Sequence, residues 1–386
     1  MIATSTRPAE AVVDLGAIRD NVRELSRRAP TAEVMAVVKA DGYGHGLVPC
    51  ARAAREGGAT WLGVAQLAEG LALRAAGDTG RLLSWLHVPG DDFAGAVRSG
   101  IDLSAGAPWA VAEIAAAARL EGSTARLHLK ADTGLSRGGA TPADWDDLVR
   151  AALAAQAEGA VQVVGLWSHL AWADAPDHPT VRHQREVFDQ MSARATSLGV
   201  RPEVRHLANS AATLTNSSAH YDLVRPGIAV YGLSPVPDLA DSAALGLRPA
   251  MSLRAHLSLV KRVPAGSGVA YGHSYVTQRE TVLGLVPLGY ADGVPRAAGN
   301  GGLLLVAGAV RQIAGRVSMD QVVVDLGDDQ AARAARAGDP VTVFGPGEDG
   351  EPTAQQWAAA VDTISYEIVA RLGSRVPRTY VGGDDR

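Results

Sequence analysis

The sequence predicts an α/β fold with an N-terminal (β/α)8 barrel of the TIM type, followed by a mostly β C-terminal domain. Eight short runs rich in Val, Ile and Leu alternate with helical stretches over about 230 residues, the size and rhythm of such a barrel. Beyond residue 250, apolar and polar residues alternate with a period of two, which is typical of half-buried strands. We expect the barrel to span residues 12–240, and the second domain to span residues 241–386 together with 1–11.

Each barrel strand is predicted from a short apolar run that ends at Gly, Pro or polar turn residues. The predicted strands are 34–38, 61–65, 82–88, 101–104, 126–130, 162–168, 204–207 and 223–230. The predicted helices are 17–28, 47–57, 66–76, 91–98, 107–120, 142–156, 180–198 and 210–217. Pro108 and Pro142 lie near helix starts, where a missing N–H group costs little. A doubly wound sheet would alternate in the same way, but no Gly-x-Gly-x-x-Gly motif follows the first strand, so a barrel is favoured.

The second domain is expected to begin after a linker of small residues near 235–250. Its first strand is marked by alternating apolar residues at Met251, Leu253, Ala255, Leu257 and Leu259. Further strands are predicted at 281–288, 303–306, 309–314, 321–325 and 340–344, with helices at 354–360 and 362–371. One more strand-like run, 11–15, precedes the barrel.

Composition excludes several classes of protein. A net charge of −5 over 386 residues favours neither nucleic acid nor an anionic membrane as a partner. The N-terminus lacks the apolar core of a signal peptide, and no run of about 18 apolar residues predicts a membrane span. The single cysteine, Cys50, excludes an intrachain disulfide framework. We therefore expect a cytoplasmic protein.

Lysine is rare in this chain, which draws attention to where it occurs. Only Lys39, Lys130 and Lys261 are present, and the other basic side chains are arginines. A lysine amine, unlike a guanidinium group, can lose its proton and form a Schiff base. Lys39 follows the apolar run 34–38 and precedes a glycine-rich turn, and Lys130 also stands at the end of a predicted strand. Both are therefore candidate functional amines.

In such a barrel, ligands bind at the carboxyl ends of the strands. The predicted strand ends carry Lys39, Tyr43, Trp85, Lys130, Arg137, Ser168, His169, Asn209, Ser210, Arg225 and Gly227. The segment 224–228 lies late in the barrel, where a phosphate cup is commonly built, and Gly227 would let backbone N–H groups approach a phosphate. A phosphate cup together with a reactive lysine indicates pyridoxal 5'-phosphate (PLP), whose aldehyde is held by a lysine.

The eight residues from Lys39 to Gly46, KADGYGHG, resemble the PLP-lysine signature of the alanine racemases. Shorter stretches that resemble further motifs of this family are 130–134, 206–211, 224–228, 290–293 and 316–321. These stretches occur in the family's order and span both predicted domains.

The resemblance implies two catalytic residues. Lys39 would hold the cofactor and act as the base on the D face of the substrate, and Tyr271 would be the base on the L face. The implied cofactor-binding positions are Lys39, Tyr43, Trp85, His169, Asn209, Ser210, Arg225, Gly227, Ile228 and Tyr366; Arg225 would face the pyridine nitrogen and His169 would bond Arg225. The substrate would contact Arg137, Met319 and Tyr271, and Lys130 would be carbamylated to hold Arg137. The residues that would line the access corridor are Asp174, Tyr290, Arg296 and Arg316. No metal is implied.

The resemblance also implies that the protein interconverts L-alanine and D-alanine and so supplies D-alanine for bacterial cell wall peptidoglycan. The family forms a head-to-tail homodimer, in which Tyr271 and Met319 would serve the barrel of the partner. Two other activities fit the same plan: a racemase of broader specificity, and a barrel-type PLP decarboxylase of basic amino acids. The decarboxylases rely on a cysteine in the second domain, whereas Cys50 lies in the predicted barrel. A single-barrel PLP carrier would lack the second domain.

Overall fold

The computed structural model describes residues 7–383 and divides into two compact units. The barrel unit runs from Ile18 to Leu247, and the second unit combines the chain up to Ala17 with the chain from Arg248 onward. The expected boundaries, at residues 12 and 241, fall a few residues before these two junctions. Within residues 7–383, no helix combines the length and the apolar character needed to cross a membrane.

The barrel unit alternates strands and helices, after β1 (Ala9–Asp14) and α1 (Leu15–Arg28). Its strands are β2 (Glu33–Val37), β3 (Trp61–Val64), β4 (Arg81–Ser84), β5 (Asp102–Ala105), β6 (Ala125–Lys130), β7 (Val161–Trp167), β8 (Val204–His206) and β9 (Leu223–Val224). Its helical segments are α2 (Lys39–Tyr43), α3 (Leu47–Glu56), α4 (Leu67–Ala75), α5 (Phe93–Arg98), α6 (Pro108–Leu120), α7 (Trp145–Ala157), α8 (Pro179–Leu198) and α9 (Ser210–Thr215). Short 3-10 helices follow at Ser217–Ala219 and Ile228–Tyr231.

The eight strands β2 to β9 are parallel and form one curved sheet. β2 pairs with both β3 and β9, and the order continues through β4, β5, β6 and β7 to β8. Two backbone hydrogen bonds join the ends of this sheet: Asp222 donates to Arg205 O at 3.0 Å, and Arg225 donates to Ala208 O at 2.9 Å. The strands therefore surround a nearly closed barrel, and the predicted fold class is confirmed.

The eighth barrel strand is much shorter than predicted. The run 223–230 contains only the two-residue strand β9, and Ile228 begins a 3-10 helix. Pro226 has no N–H group for a strand ladder, and Gly227 turns the backbone with φ −112° and ψ −86°. The run was predicted as one strand because apolar residues occupy both of its ends, at 223–224 and 228–230. A short apolar run does not separate a strand from a tight helical turn, and both are buried here.

A cluster of large apolar side chains packs between the barrel strands. Met35, Trp61, Leu83, Val204 and Leu223 form a buried cluster contributed by five different strands. Their packing fixes the strands relative to each other and therefore fixes the positions of the side chains at the carboxyl ends.

The second unit is mostly β, as predicted. Its strands are β1, β10 (Met251–His256), β11 (Leu259–Val263), β12 (Gly268–Val269), β13 (Tyr275–Val276), β14 (Thr281–Val286), β15 (Leu303–Val306), β16 (Ala309–Gln312), β17 (Val322–Gly327), β18 (Pro340–Phe344) and β19 (Arg378–Val381). Six of them form one sheet in the order β16-β15-β18-β10-β1-β19, and β11-β14-β17 form another. The helices are α10 (Gln330–Ala334), α11 (Ala354–Ala360) and α12 (Ser365–Ala370), with 3-10 helices at Tyr271–His273 and Arg296–Ala298.

Candidate active site

Lys39 lies at the carboxyl end of β2 and begins a turn of left-handed backbone. Ala40, Asp41, Gly42 and Tyr43 follow with φ values of 54°, 52°, 61° and 52°. Left-handed backbone costs about 1–2 kcal/mol for each residue that carries a Cβ atom. Such a turn persists only where the surrounding structure holds it, and strained turns of this kind concentrate at functional sites.

Two carboxylates hold the turn that begins at Lys39. Glu69 Oε1 accepts the N–H group of Ala40 at 2.6 Å, and Glu69 Oε2 accepts the N–H groups of residues 65–66 at 3.0 Å. Asp41 Oδ1 accepts the N–H group of Leu47 at 2.8 Å, at the start of α3. The turn is therefore tied both to the following helix and to the loop after β3.

The amine of Lys39 is partly desolvated and lies close to another cation. Burial lowers the pKa of Lys39, and the Arg137 guanidinium lowers it further, whereas Glu69 opposes the shift. Both dominant effects favour the neutral amine, which is the form that can attack an aldehyde or accept a proton.

A small cradle lies beside this turn, at the start of the 3-10 helix after β9. Ser210 Oγ accepts the N–H groups of Gly227 at 2.8 Å and Ala229 at 3.3 Å. A Cβ atom on Gly227 would lie 2.2 Å from the hydroxyl oxygen of Tyr43, so only glycine fits there. The hydroxyl groups of Ser210 and Tyr43 thus both lie beside Gly227, and the next residue, Ile228, is buried.

Arg225 lies buried at the centre of the barrel mouth. Its Nη2 donates to Ser168 O at 2.7 Å and Leu207 O at 3.3 Å and lies 3.4 Å from His169 Nδ1, while Nη1 lies 3.1 Å from His206 Nδ1. Burial lowers the pKa of Arg225 to about 9, which still leaves the guanidinium protonated at neutral pH. A guanidinium has no acceptor, so this group can only donate to a ligand.

Lys130 ends β6 beside the loop that carries Arg137. Burial and the nearby Arg137 guanidinium lower the pKa of Lys130 to about 8. Asp132 Oδ1 accepts three successive backbone N–H groups, those of residues 134–136, at 3.0–3.1 Å and so fixes this loop. Arg137 itself is exposed.

The other predicted barrel positions are more loosely connected to the cradle. Trp85 is half-buried, with its ring centroid 6.0 Å from that of Trp167. Asn209 Oδ1 accepts the Ala212 N–H group at 3.1 Å and so caps α9. Asp174 is exposed in the loop between β7 and α8.

In the second unit, Tyr271 starts a 3-10 helix and is 70 % exposed. A Cβ atom on Gly272 would lie 3.1 Å from the Arg316 guanidinium, so Arg316 lies beside the 3-10 helix that Tyr271 begins. The predicted base is therefore exposed, and a guanidinium group lies beside the same turn of backbone.

The remaining predicted residues of the second unit lie on two neighbouring loops and two helices. Tyr290 donates its backbone N–H group to Ser318 O at 3.1 Å, which places it beside Met319. Both side chains are exposed, Met319 by 53 %. Arg296 begins a 3-10 helix, and Tyr366 lies in the first turn of α12.

Cys50, the cysteine considered for decarboxylase chemistry, is fully buried in α3 of the barrel. Burial raises the pKa of its thiol, and Asp41 raises it further. A buried, protonated thiol of this kind is a packing residue.

Four polar residues were not predicted as site residues, although they contact predicted site residues directly or through one another. Glu69 holds the turn after Lys39, and His206, His128 and Asp102 extend from Arg225 into the barrel. The signal in the sequence was weak, because two histidines and an aspartate lie on predicted strands that also carry other polar residues.

The residues at the barrel mouth fit PLP. The cradle at Gly227 offers the hydroxyl groups of Tyr43 and Ser210, which can donate to a phosphate. Lys39 offers a partly buried amine for the aldehyde, and Arg225 offers a buried donor for the ring nitrogen.

Comparison with known proteins identifies the family. The family models "Alanine racemase, N-terminal domain" and "Alanine racemase, C-terminal domain" match residues 13–235 and 250–380. An alanine racemase from Frankia casuarinae is 62 % identical over 371 residues, which cover 96 % of either chain. Another, from Streptomyces coelicolor, is 57 % identical and covers 98 % of each chain.

Solved structures agree with this assignment. The crystal structure of alanine racemase from the D-cycloserine-producing Streptomyces lavendulae superposes with a TM-score of 0.96 at 58 % identity, covering 98 % of each chain. The alanine racemase of Streptomyces coelicolor A3(2) superposes with a TM-score of 0.95 at 57 % identity, covering 97 % of this chain and 98 % of the other. The chain belongs to the alanine racemase family, whose members depend on PLP.

Proposed function

We propose that this chain racemises alanine with two bases, Lys39 and Tyr271, which act on opposite faces of the substrate. The observation that carries the proposal is the partly buried Lys39 amine, whose pKa is lowered by burial and by Arg137, beside a phosphate cradle. Racemisation requires one group to remove the Cα proton and another to return a proton on the other face. When bound, PLP supplies an electron-withdrawing ring that acidifies this Cα–H bond.

The other barrel residues position the reacting groups. Tyr43, Ser210, Gly227 and Ile228 would hold the phosphate. Because Arg225 can only donate, it would keep the ring nitrogen unprotonated and limit how much negative charge the ring withdraws. This moderate withdrawal favours prompt return of the proton to Cα over side reactions.

The carboxylate of the substrate requires a cation, and Arg137 is close enough to Lys39 to lower the pKa of its amine. Lys130 would carry a carbamate that pairs with Arg137 and so fixes its guanidinium. Met319 would contact the same carboxylate, while Asp174, Tyr290, Arg296 and Arg316 would line the corridor through which alanine arrives.

The active protein would be a head-to-tail homodimer in the cytoplasm that supplies D-alanine for peptidoglycan. Tyr271 and Met319 are exposed, by 70 % and 53 %, and would complete the barrel mouth of the partner. An exposed base needs a second surface opposite it to form a site, and the partner subunit would supply that surface.

Subunit complementation tests the shared site. Lys39→Ala and Tyr271→Phe should each lose about 100- to 10,000-fold in activity, the usual contribution of a general base. In a 1:1 mixture refolded to allow random pairing, half of the dimers are mixed and each of these has one intact site, so activity should recover to about a quarter of the wild-type value. As a control, the double variant Lys39→Ala/Tyr271→Phe mixed with Lys39→Ala should stay inactive.

The same variants test the assignment of faces and of the substrate. Tyr271→Phe should slow exchange of the Cα hydrogen for deuterium more from L-alanine than from D-alanine. Borohydride should fix PLP covalently to the wild type but not to Lys39→Ala. Equal activity on L-serine or L-lysine would support the broader racemase instead, and release of CO2 would support a decarboxylase.

A further inference from the structure

A continuous series of buried polar groups runs from Arg225 into the barrel. Arg225 Nη1 lies 3.1 Å from His206 Nδ1, and His206 Nε2 lies 2.9 Å from His128 Nδ1. His128 Nε2 in turn lies 3.3 Å from Asp102 Oδ2. Both imidazole rings are fully buried, and Asp102 and Arg225 are 2 % and 5 % exposed.

The two ends of this series determine the direction of every hydrogen bond in it. Arg225 has only donors, so His206 Nδ1 must accept. Although burial alone would raise the pKa of Asp102, the hydrogen bond from His128 and the nearby arginines lower it, so this carboxylate is ionised and can only accept. His128 must therefore carry its proton on Nε2. The requirement set by Arg225 and the requirement set by Asp102 both act on the hydrogen bond between the two rings.

That central bond is satisfied by only one arrangement of protons. Burial lowers the pKa of both His128 and His206, so each ring is neutral and carries a single proton. With that proton on Nε2 of each ring, His206 donates to His128 Nδ1, and no donor faces another donor. A charged ring at either position would place two donors opposite each other.

We propose that Asp102, His128 and His206 form a positioning relay, which fixes Arg225 as the donor to the ring nitrogen of PLP. The relay rests on the proposed function of Arg225. One hydrogen of Arg225 Nη1 goes to His206, so the other remains for the cofactor in a fixed direction. Reversal of the series would turn an N–H group of His206 toward Arg225 and push the guanidinium away.

Packing around the two rings is consistent with a fixed relay. His128 pairs with Gly165 across β6 and β7, and a Cβ atom on Gly165 would lie 2.0 Å from His128 Nδ1. Trp167 stacks on His206 at 5.6 Å with an interplanar angle of 6°, and Trp61 meets His128 edge-on at 5.6 Å. Neither ring can rotate without displacing a large neighbour.

The far end of the relay is anchored by ion pairs. Asp102 pairs with Arg81 at 3.1 Å and with Arg126 at 3.2 Å. Glu203 pairs with the same two arginines, at 3.4 Å and 2.6 Å, but its side chain is 40 % exposed. Because His128 donates to Asp102 and not to Glu203, Glu203 offers a matched control for the loss of a carboxylate.

The tautomers can be measured in the unmodified protein. In holoenzyme labelled with 15N-histidine, NMR should show both His128 and His206 as neutral rings protonated on Nε2. Their resonances can be assigned through His128→Gln and His206→Gln. A ring protonated on Nδ1, or a charged ring, at either position at neutral pH would overturn the relay.

Substitution then tests whether the relay acts on the cofactor. Holoenzymes of Asp102→Asn and Glu203→Gln, reconstituted with PLP labelled with 15N in the ring, should differ in the ring nitrogen resonance and in kcat/KM. The amide of Asp102→Asn can donate as well as accept, so it no longer fixes the direction of the series. This variant should move the ring nitrogen resonance toward its protonated position and lower kcat/KM about tenfold. Glu203→Gln should leave both near the wild-type values.

The outcomes separate this inference from the proposed function. If Arg225→Lys leaves the ring nitrogen resonance unmoved, Arg225 does not serve the cofactor and the proposed function of Arg225 fails. If Arg225→Lys moves it but Asp102→Asn shifts it no more than Glu203→Gln does, the relay alone is wrong. If Asp102→Asn does not fold, Gly165→Ala replaces it, because the added methyl group would displace His128 directly.

Discussion

Gly227 shows how a single residue can determine cofactor affinity. A Cβ atom there would lie 2.2 Å from the Tyr43 hydroxyl oxygen, so Gly227→Ala must move either the loop or the ring. We expect the dissociation constant for PLP to rise about 10- to 100-fold, consistent with an overpacking cost of about 1–3 kcal/mol. Quenching of tryptophan fluorescence on addition of PLP to the apoprotein would measure it.

A control for this substitution is available at Gly301. A Cβ atom at Gly301 has its nearest neighbour, Ala360 O, at 3.6 Å, an ordinary contact. Gly301→Ala should therefore bind PLP as the wild type does. Equal affinity for PLP in Gly227→Ala and Gly301→Ala would show that the cradle does not bind the phosphate.

Lys130 illustrates how burial changes the chemistry of a residue. Its pKa, lowered to about 8 by burial and by Arg137, leaves about half of the amine neutral at pH 8 and about a tenth at pH 7. Only a neutral amine can add CO2 to form a carbamate. We expect protein incubated with 13C-bicarbonate to show a carbamate resonance by NMR that strengthens between pH 7 and pH 8.5.

Lys130→Arg provides the comparison for this experiment, because a guanidinium keeps the positive charge but does not form the carbamate. The resonance should be absent from Lys130→Arg. A spectrum of the wild type at pH 8.5 that matches this variant would mean that Arg137 is held in another way.

At the scale of an element, the left-handed turn at residues 40–43 depends on a neighbouring helix. Glu69, in the first turn of α4, accepts three backbone N–H groups, including that of Ala40. Glu69→Ala should lower the free energy of unfolding by roughly 2–3 kcal/mol, because these donors lose a charged acceptor. It should also weaken PLP binding, since Lys39 begins this turn.

Urea unfolding of the apoprotein, followed by circular dichroism, would measure this loss. Glu56→Ala removes a carboxylate that is 53 % exposed and pairs with Arg19 at the surface. Exposed pairs contribute less than about 1 kcal/mol, so this variant should remain close to the wild type. Equal losses in the two variants would contradict a special role for Glu69.

At the scale of the whole molecule, the buried histidines predict acid sensitivity. Burial lowers the pKa of His128, His169 and His206 in the folded protein, whereas an unfolded histidine has a pKa of about 6.5. Below about pH 6.5 the unfolded chain therefore binds protons that the folded chain does not. The free energy of unfolding should be greatest above this pH and fall as the pH decreases. The decrease is up to about 4 kcal/mol per pH unit if each of the three histidines binds one more proton in the unfolded chain than in the folded chain.

Urea unfolding of the apoprotein at pH 7.5, 6 and 5 would test this dependence. His206→Gln should reduce the slope by about 1.4 kcal/mol per pH unit, the share of one proton. The same free energy of unfolding at all three pH values would show that these histidines titrate alike in the folded and unfolded chains.

Most of the architecture could be predicted because the hydrophobic pattern is local. Apolar runs at intervals along the chain mark the barrel strands, and a period of two marks the strands of the second unit. Prediction was wrong at 223–230, where Pro226 and Gly227 end the strand after two residues. Apolar residues on both sides of this pair made the stretch look like one continuous strand, although a Pro-Gly pair is itself a turn signal.

The candidate site was predicted less evenly. Lys39, Tyr43, Ser210, Arg225 and Gly227 were found because each follows a strand end and belongs to a recognisable motif, and the structure brings them to one end of the barrel. The roles assigned to them, and those of Tyr271 and Met319, remain predictions. Glu69 was missed because, in the sequence, a glutamate three residues after an N-cap is an ordinary helix start.

The sequence by itself determined the order of strands and helices and the presence of a lysine between the first barrel strand and a glycine-rich turn. Only the tertiary structure decided that Arg225, His206, His128 and Asp102 form one series of buried contacts, on which the proposed tautomers rest. These residues lie on or just after four different strands, and each is neutral or charged according to its burial and to partners that are distant along the chain. Periodicity depends on neighbours in sequence, whereas a pKa or a tautomer depends on neighbours in space.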